Sequence, residues 1–252
     1  MNRPAIRVED IAPISHREGM ALAETEYQRF ADVLAQLQPG DWTVQTVCTA
    51  WNVKQLIAHV VGFAESNASF RVLVSGIRHG KRRAAEKGYD QVVHGMNEVQ
   101  VEEREHLAAA ELVRRWSQTW PKALAGRKRF PPFLRHVPFD FGPPIGKKPM
   151  GSYLMDVMYT RDTWMHRIDL CRAVRLDPAL TAEHDGRLIA DMVAEWARVH
   201  DLAFTLHLDG PAGGTFVSGA GGDELTIDAV EWIWIISGRG TGTGLLSKEL
   251  PL

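Results

Sequence analysis

Asp162 and His166 stand four positions apart in the segment GSYLMDVMYTRDTWMHRIDLCRAV, residues 151–174. On a helix that spacing points both side chains the same way, about 6 Å apart along the axis. A carboxylate oxygen and an imidazole nitrogen so placed suit zinc or another divalent first-row ion. They equally suit a hydrogen-bonded Asp–His pair on a surface helix. One further donor from a facing helix would complete a three-ligand site with an open position, and His59 is the best candidate. Asp169 lies one turn beyond His166. It could hold the second ring nitrogen of that histidine, act as a fourth ligand, or pair with Arg172 or Arg239.

The element that must carry this pair is predicted to be helical. Ser152 can cap its start, and no Gly or Pro follows before Pro178. At about 100° per residue, Met155, Met158, Tyr159, Asp162, Met165, His166, Asp169 and Ala173 share one face. Ionisable groups inside an apolar stripe are seldom buried unless they are paired or bind a metal. Val157, Trp164, Ile168 and Cys171 form a second apolar line, with Arg161, Arg167, Arg172 and Arg175 expected to reach out between the two.

Three more helices are expected to pack with it. Ser15 and Glu18 read as a capping box, followed by Met20, Ala23, Tyr27, Phe30, Leu34 and Leu37 at helical spacing, with a stop at Pro39-Gly40. Asn52 and Gln55 open a second helix that carries Val53, Leu56, Ile57, His59 and Val60 and is expected to run to about Arg78. Gly62, a poor residue within a helix, is expected to make room beside His59. Residues 79–106 are charged and weakly periodic, which reads as a solvated connector or short surface helices. Leu112, Val113, Trp116, Trp120 and Leu124 mark a third helix that Pro121 should kink or end. The Pro- and Phe-rich stretch 130–151 is expected to line or cover a pocket, or to pack on the bundle.

Beyond residue 178 the periodicity changes. Thr181 can cap a helix with Leu188, Ile189, Met192, Val193, Trp196 and Val199 inside, and Leu202, Phe204, Leu206 and Leu208 alternate as a strand. TFVSG and ELTI are further short strands, and Asp228 with Glu231 caps a last helix through Ile236. The fold class is therefore α+β, with a four-helix bundle domain at 1–178 and a small α+β domain at 179–252.

Composition narrows the classes. The 252 residues are 45% hydrophobic and 24% charged, with formal net charge -2, which is ordinary for a globular protein and gives no case for nucleic acid or an anionic membrane as partner. With only Cys48 and Cys171, no disulfide framework is expected. The N-terminal residues show no apolar run of a secretory signal, and the apolar stretch Val230–Ile236 is too short to span a bilayer, so the expected location is cytoplasmic. There is no G-x-S-x-G. GRGTGTG, 238–244, lacks the lysine of a phosphate loop, leaving Arg239 as its one residue of chemical interest.

Three stretches together resemble the mycothiol-dependent maleylpyruvate isomerase family, within the DinB-like metal-binding four-helix bundles. They are WTVQTVCTAWNVKQLIAHVVG, DTWMHRIDL and IDAVEWIWIISGRGTGTGLL. The resemblance implies zinc held by residues matching His59, Asp162 and His166, and a functional arginine in the segment containing Arg239. The family's founding enzyme is similar but has glutamate in place of Asp162; aspartate is one methylene shorter, which leaves the coordination mode open. What the resemblance implies for activity is a metal- and mycothiol-dependent isomerase or S-transferase, acting on a small electrophile through a thiolate nucleophile. A metal-dependent hydrolase, or a non-catalytic metal-containing binding or stress-response protein, would fit the same ligands. Monomer and homodimer are both open.

Overall fold

The structure is a computed structural model that describes residues 4–139 and 149–250. It divides into two compact units, Ser15–Pro178 and the stretch up to Ile14 together with Ala179–Leu252.

In the first unit, α1 (His16–Leu34), α2 (Val53–Ala68), α5 (Ala109–Lys128) and α7 (Tyr159–Val174) form the bundle, α1 and α2 each packing on α5 and α7. Ser15 Oγ accepts from the Glu18 amide at the start of α1. Asn52 and Gln55 form a reciprocal capping box on α2. The core is aromatic: Trp116 meets Tyr27 edge-on at 5.5 Å and Phe30 at 4.8 Å, with Leu56, Ile57 and Leu112 fully buried around them. Side chains of this size contribute about 1.5–3 kcal/mol each when removed from water.

Several local expectations change. The second helix stops at Ala68, because Ser69 is extended, and a separate helix α3 (Phe70–Lys87) follows. Charged residues 79–106 are helical over much of their length, in α3 and α4 (Val92–Glu102). These two pack closely through Gly80 and Gly95, where a Cβ would lie 2.2 Å from atoms of the other helix. Pro121 does not end α5. It lies on the exposed side, where the carbonyl left without an N–H partner can meet water.

The helix that carries Asp162 and His166 begins with a turn, α6 (Gly151–Tyr153), with Met150 rather than Ser152 at the N-cap. It passes through a π-helical stretch, Leu154–Met158, into α7. Arg161 and Arg167, expected to reach outward, are buried. Arg167 is pulled inward by Glu26 of α1, which it meets at 2.7 and 3.1 Å. The reading of 130–151 as a pocket cover falls in part on 140–148, outside the described residues. Beside them, Pro132–His136 is a short 3-10 turn and Pro138 bridges to Met150.

In the second unit a four-stranded sheet has the order β1-β3-β2-β4. The strands are β1 (Ile6–Arg7), β2 (Phe204–Asp209), β3 (Gly214–Ser218) and β4 (Asp223–Asp228). β3 runs antiparallel to β2, while β4 is parallel to β2 and β1 is parallel to β3. The pairing of Ile6 with Phe216 puts the first residues with this unit rather than with the bundle. Thr181 and Asp228 cap as expected, the latter accepting from the Val230 and Glu231 amides of α9 (Ala229–Ile236). Trp196 of α8 (Arg187–His200) packs between Phe204 and Trp232. Val199, counted with the buried stripe, lies at the end of α8 and is exposed.

Candidate metal centre

α2 and α7 bring His59, Asp162 and His166 together. One donor atom from each lies within 4.8 Å of the other two. The Asp162 Oδ1 and His166 Nε2 atoms are 3.7 Å apart, and the two imidazoles meet edge to face at 5.0 Å. Both histidines are buried, whereas the Asp162 side chain keeps 28% exposure, so the cluster has one wet side.

Each imidazole is held from behind. His59 Nδ1 lies 2.8 Å from Gln100 Oε1, and His166 Nδ1 lies 3.1 Å from Asp169 Oδ2. In both rings the other nitrogen is left for the cluster, and outer hydrogen bonds of this kind are what orient histidines that ligate metals. Trp51 stacks on His59 at 4.9 Å, and Phe63 meets Tyr159 edge-on at 4.6 Å. Burial, with the neighbouring His166, pushes His59 down to about 4 against the pull of Asp162. It is therefore neutral at neutral pH, the form a metal requires. Burial also raises the Tyr159 phenol, keeping it protonated.

The donor set, two imidazoles and a carboxylate converging from α2 and α7, fits a divalent first-row ion. Cys48, His166 and Asp169 form a second close group. There the Asp169 carboxylate is already hydrogen-bonded to the ring, and the Cys48 thiol sits 3.9 Å from it. Cys171 is a packed residue, its thiol pushed up to about 11 by burial.

Of the residues singled out from sequence, three converge and Arg239 does not lie in the same unit. It follows α9, its amide donating to the Trp234 carbonyl at 3.1 Å. Sequence reading missed Gln100, which sits in the charged stretch taken as connector or surface helix. The available signal was Val92, Val93, Met96 and Val99, whose spacing gives α4 an inner face adjoining Gln100. Gly62 makes room, but for α4: a Cβ there would lie 2.8 Å from Arg104 Nη1 and 2.9 Å from Gln100 Cβ.

Comparison with known proteins gives a consistent relationship. The family model of the mycothiol maleylpyruvate isomerase N-terminal domain matches residues 23–171. A crystal structure of the mycothiol-dependent maleylpyruvate isomerase shares the fold with TM-score 0.58 and 16% identity, over 98% of this chain and 98% of that one. A histidine-to-alanine mutant of that enzyme aligns with TM-score 0.58 and 15% identity, over 94% and 93% of the two chains. No curated protein matches the sequence.

Proposed function

The chain belongs to the mycothiol maleylpyruvate isomerase N-terminal domain family, and from that premise we propose that it is a metal- and mycothiol-dependent isomerase. The observation that supports the metal most is the convergence of His59, Asp162 and His166, each imidazole oriented from its far side by Gln100 or Asp169. In this reading those three residues hold zinc or a similar divalent ion. A metal and thiol together would supply a thiolate nucleophile that adds to a conjugated double bond and is expelled after rotation, unchanged overall.

The chain's own residues set the conditions for that chemistry. The low proton affinity of His59 keeps it a donor through the neutral range. Asp169 balances His166 without taking a place among the donors, since its carboxylate faces the other ring nitrogen. Trp51, Phe63 and Tyr159 make the surroundings apolar, which strengthens electrostatic interactions at the centre. Arg239 keeps the role that the resemblance implies, pairing with an anionic group of thiol or substrate.

The test uses purified full-length protein. Metal analysis should find about one ion per chain, and mycothiol should be needed for cis–trans isomerisation of a conjugated dicarboxylate. His59→Ala should lose both metal and turnover, while Arg239→Ala should keep the metal and lose turnover. Monochlorobimane added with mycothiol reports S-transfer by the same thiol. Protein that retains no metal after gentle purification, or turns over esters without thiol, would overturn this reading.

A further inference from the structure

We propose that Gln100 is a positioning residue for His59, its side-chain carbonyl selecting the ring nitrogen that faces the candidate metal centre. The inference rests on the metal reading for its consequence, though not for its geometry. The two groups meet at 2.8 Å in a buried place, with His59 3% and Gln100 7% exposed. An amide oxygen only accepts, so His59 carries its hydrogen on Nδ1 and presents the Nε2 lone pair toward Asp162 and His166. The opposite tautomer would leave two acceptors facing each other at Gln100 and aim an N–H at the other donors.

Gln100 is held in place by a frame built along one side of α2. His59, Gly62 and Glu65 recur every three residues on that helix, and each meets Gln100 of α4 or Arg104 just beyond its end. His59 takes the Gln100 side chain. Gly62 lets α4 approach, since any Cβ there would fall within 3 Å of both residues. Glu65 pairs with the Arg104 guanidinium, whose Nη1 donates to the Gln100 backbone carbonyl at 2.7 Å. The side chain is thus fixed from its own main chain outward.

The neutral amide also differs from the carboxylate behind His166. Asp162 and Asp169 already place two carboxylates around the cluster. Gln100 orients the remaining ring without adding a further one.

The test compares wild type with Gln100→Leu and Gln100→Glu in the full chain. Long-range proton–nitrogen NMR of metal-free protein at pH 7 reads the His59 tautomer, and competition with a chromophoric chelator reads zinc affinity. Wild type should show the Nδ1–H form. Gln100→Leu should mix the tautomers and weaken zinc about 10–100-fold, the range typical for loss of such outer partners. Gln100→Glu should keep the Nδ1–H form and bind zinc at least as tightly as wild type. A leucine variant with unchanged tautomer and zinc affinity within about twofold would sink the proposal, as would a glutamate variant that behaves like leucine. If the leucine variant fails to fold, the glutamate comparison decides alone. If wild type binds no zinc, the metal reading has failed, and the tautomer shift alone decides the role of Gln100.

Discussion

His166 Nδ1 lies 3.1 Å from Asp169 Oδ2 while Nε2 of the same ring faces Asp162 Oδ1 at 3.7 Å. One imidazole thus spans two carboxylates, to which the proposed function gives different parts: Asp162 would be a metal ligand, and Asp169 would orient and enrich the ring. Graded removal should separate those parts. Asp169→Asn keeps an acceptor but loses charge, and should weaken zinc by about tenfold; Asp169→Ala loses both and should approach a hundredfold. Chelator competition on the two variants checks this, and equal affinities for wild type and both variants would refute it.

Acid should destabilise the metal-free protein through His59. Its folded value near 4 is below the ordinary 6.5, so between those limits the unfolded chain binds more protons. The stability due to neutral His59 is present above about pH 6.5 and is lost as pH falls toward 4. The ceiling is about 3 kcal/mol, from the size of the shift. Denaturant titrations from pH 7.5 to 4, run on wild type and His59→Gln, isolate this contribution from that of the carboxylates. The variant should show a flatter dependence in that window, and parallel curves would exclude the effect.

The bundle was readable because α1, α2, α5 and α7 each bury a stripe of large apolar residues at helical spacing, such as Tyr27, Phe30, Leu56 and Trp116. That Asp162, His166 and His59 come together was readable for a related reason: Asp162 and His166 share one face, and His59 stands beside a core stripe on a different helix. β1 was not readable, since two residues carry no period and Ile6 finds its partner, Phe216, across almost the whole chain. The inward turn of Arg167 likewise depends on a residue far off in sequence, Glu26. Gln100 was hidden by charge. Arg83 ties α3 to Glu98 and Glu102, so the residues that join the two helices make their sequence look solvated.

Gly62→Ala should expose the cost of the close α2–α4 approach. Alanine is the better helix former by about 1 kcal/mol. Its Cβ would nevertheless sit 2.8 Å from Arg104 Nη1 and 2.9 Å from Gln100 Cβ, and the arginine is tied to Glu65. Overpacking of this kind costs about 1–3 kcal/mol. The variant should therefore be less stable than wild type by about 1 kcal/mol, and zinc binding should weaken as Gln100 shifts. A rise in the urea midpoint would show that the helices separate freely.

Arg127 should matter more than any surface arginine, because it repairs a defect in the helix that carries Asp162 and His166. At the π-helical stretch the Tyr159 amide bonds back to Leu154 instead of Met155. The Met155 carbonyl is taken up by Arg127 Nε at 2.9 Å, while the same guanidinium reaches Tyr27 Oη at 2.8 Å and Thr160 Oγ1 at 2.7 Å. It is fully buried. Arg127→Met would fill similar space but leave the carbonyl and both hydroxyls without that donor, each worth about 1–3 kcal/mol when stranded. The expected loss is about 3 kcal/mol, read from the urea midpoint at fixed pH. Because the extra residue of the π stretch sets the phase of everything after it, relaxing to a regular α-helix would turn Asp162 and His166 by about 100°. Zinc stoichiometry should therefore fall in the folded fraction as well. Full zinc binding in a destabilised Arg127→Met protein would show that Arg127 stabilises the fold without setting the direction of the ligands.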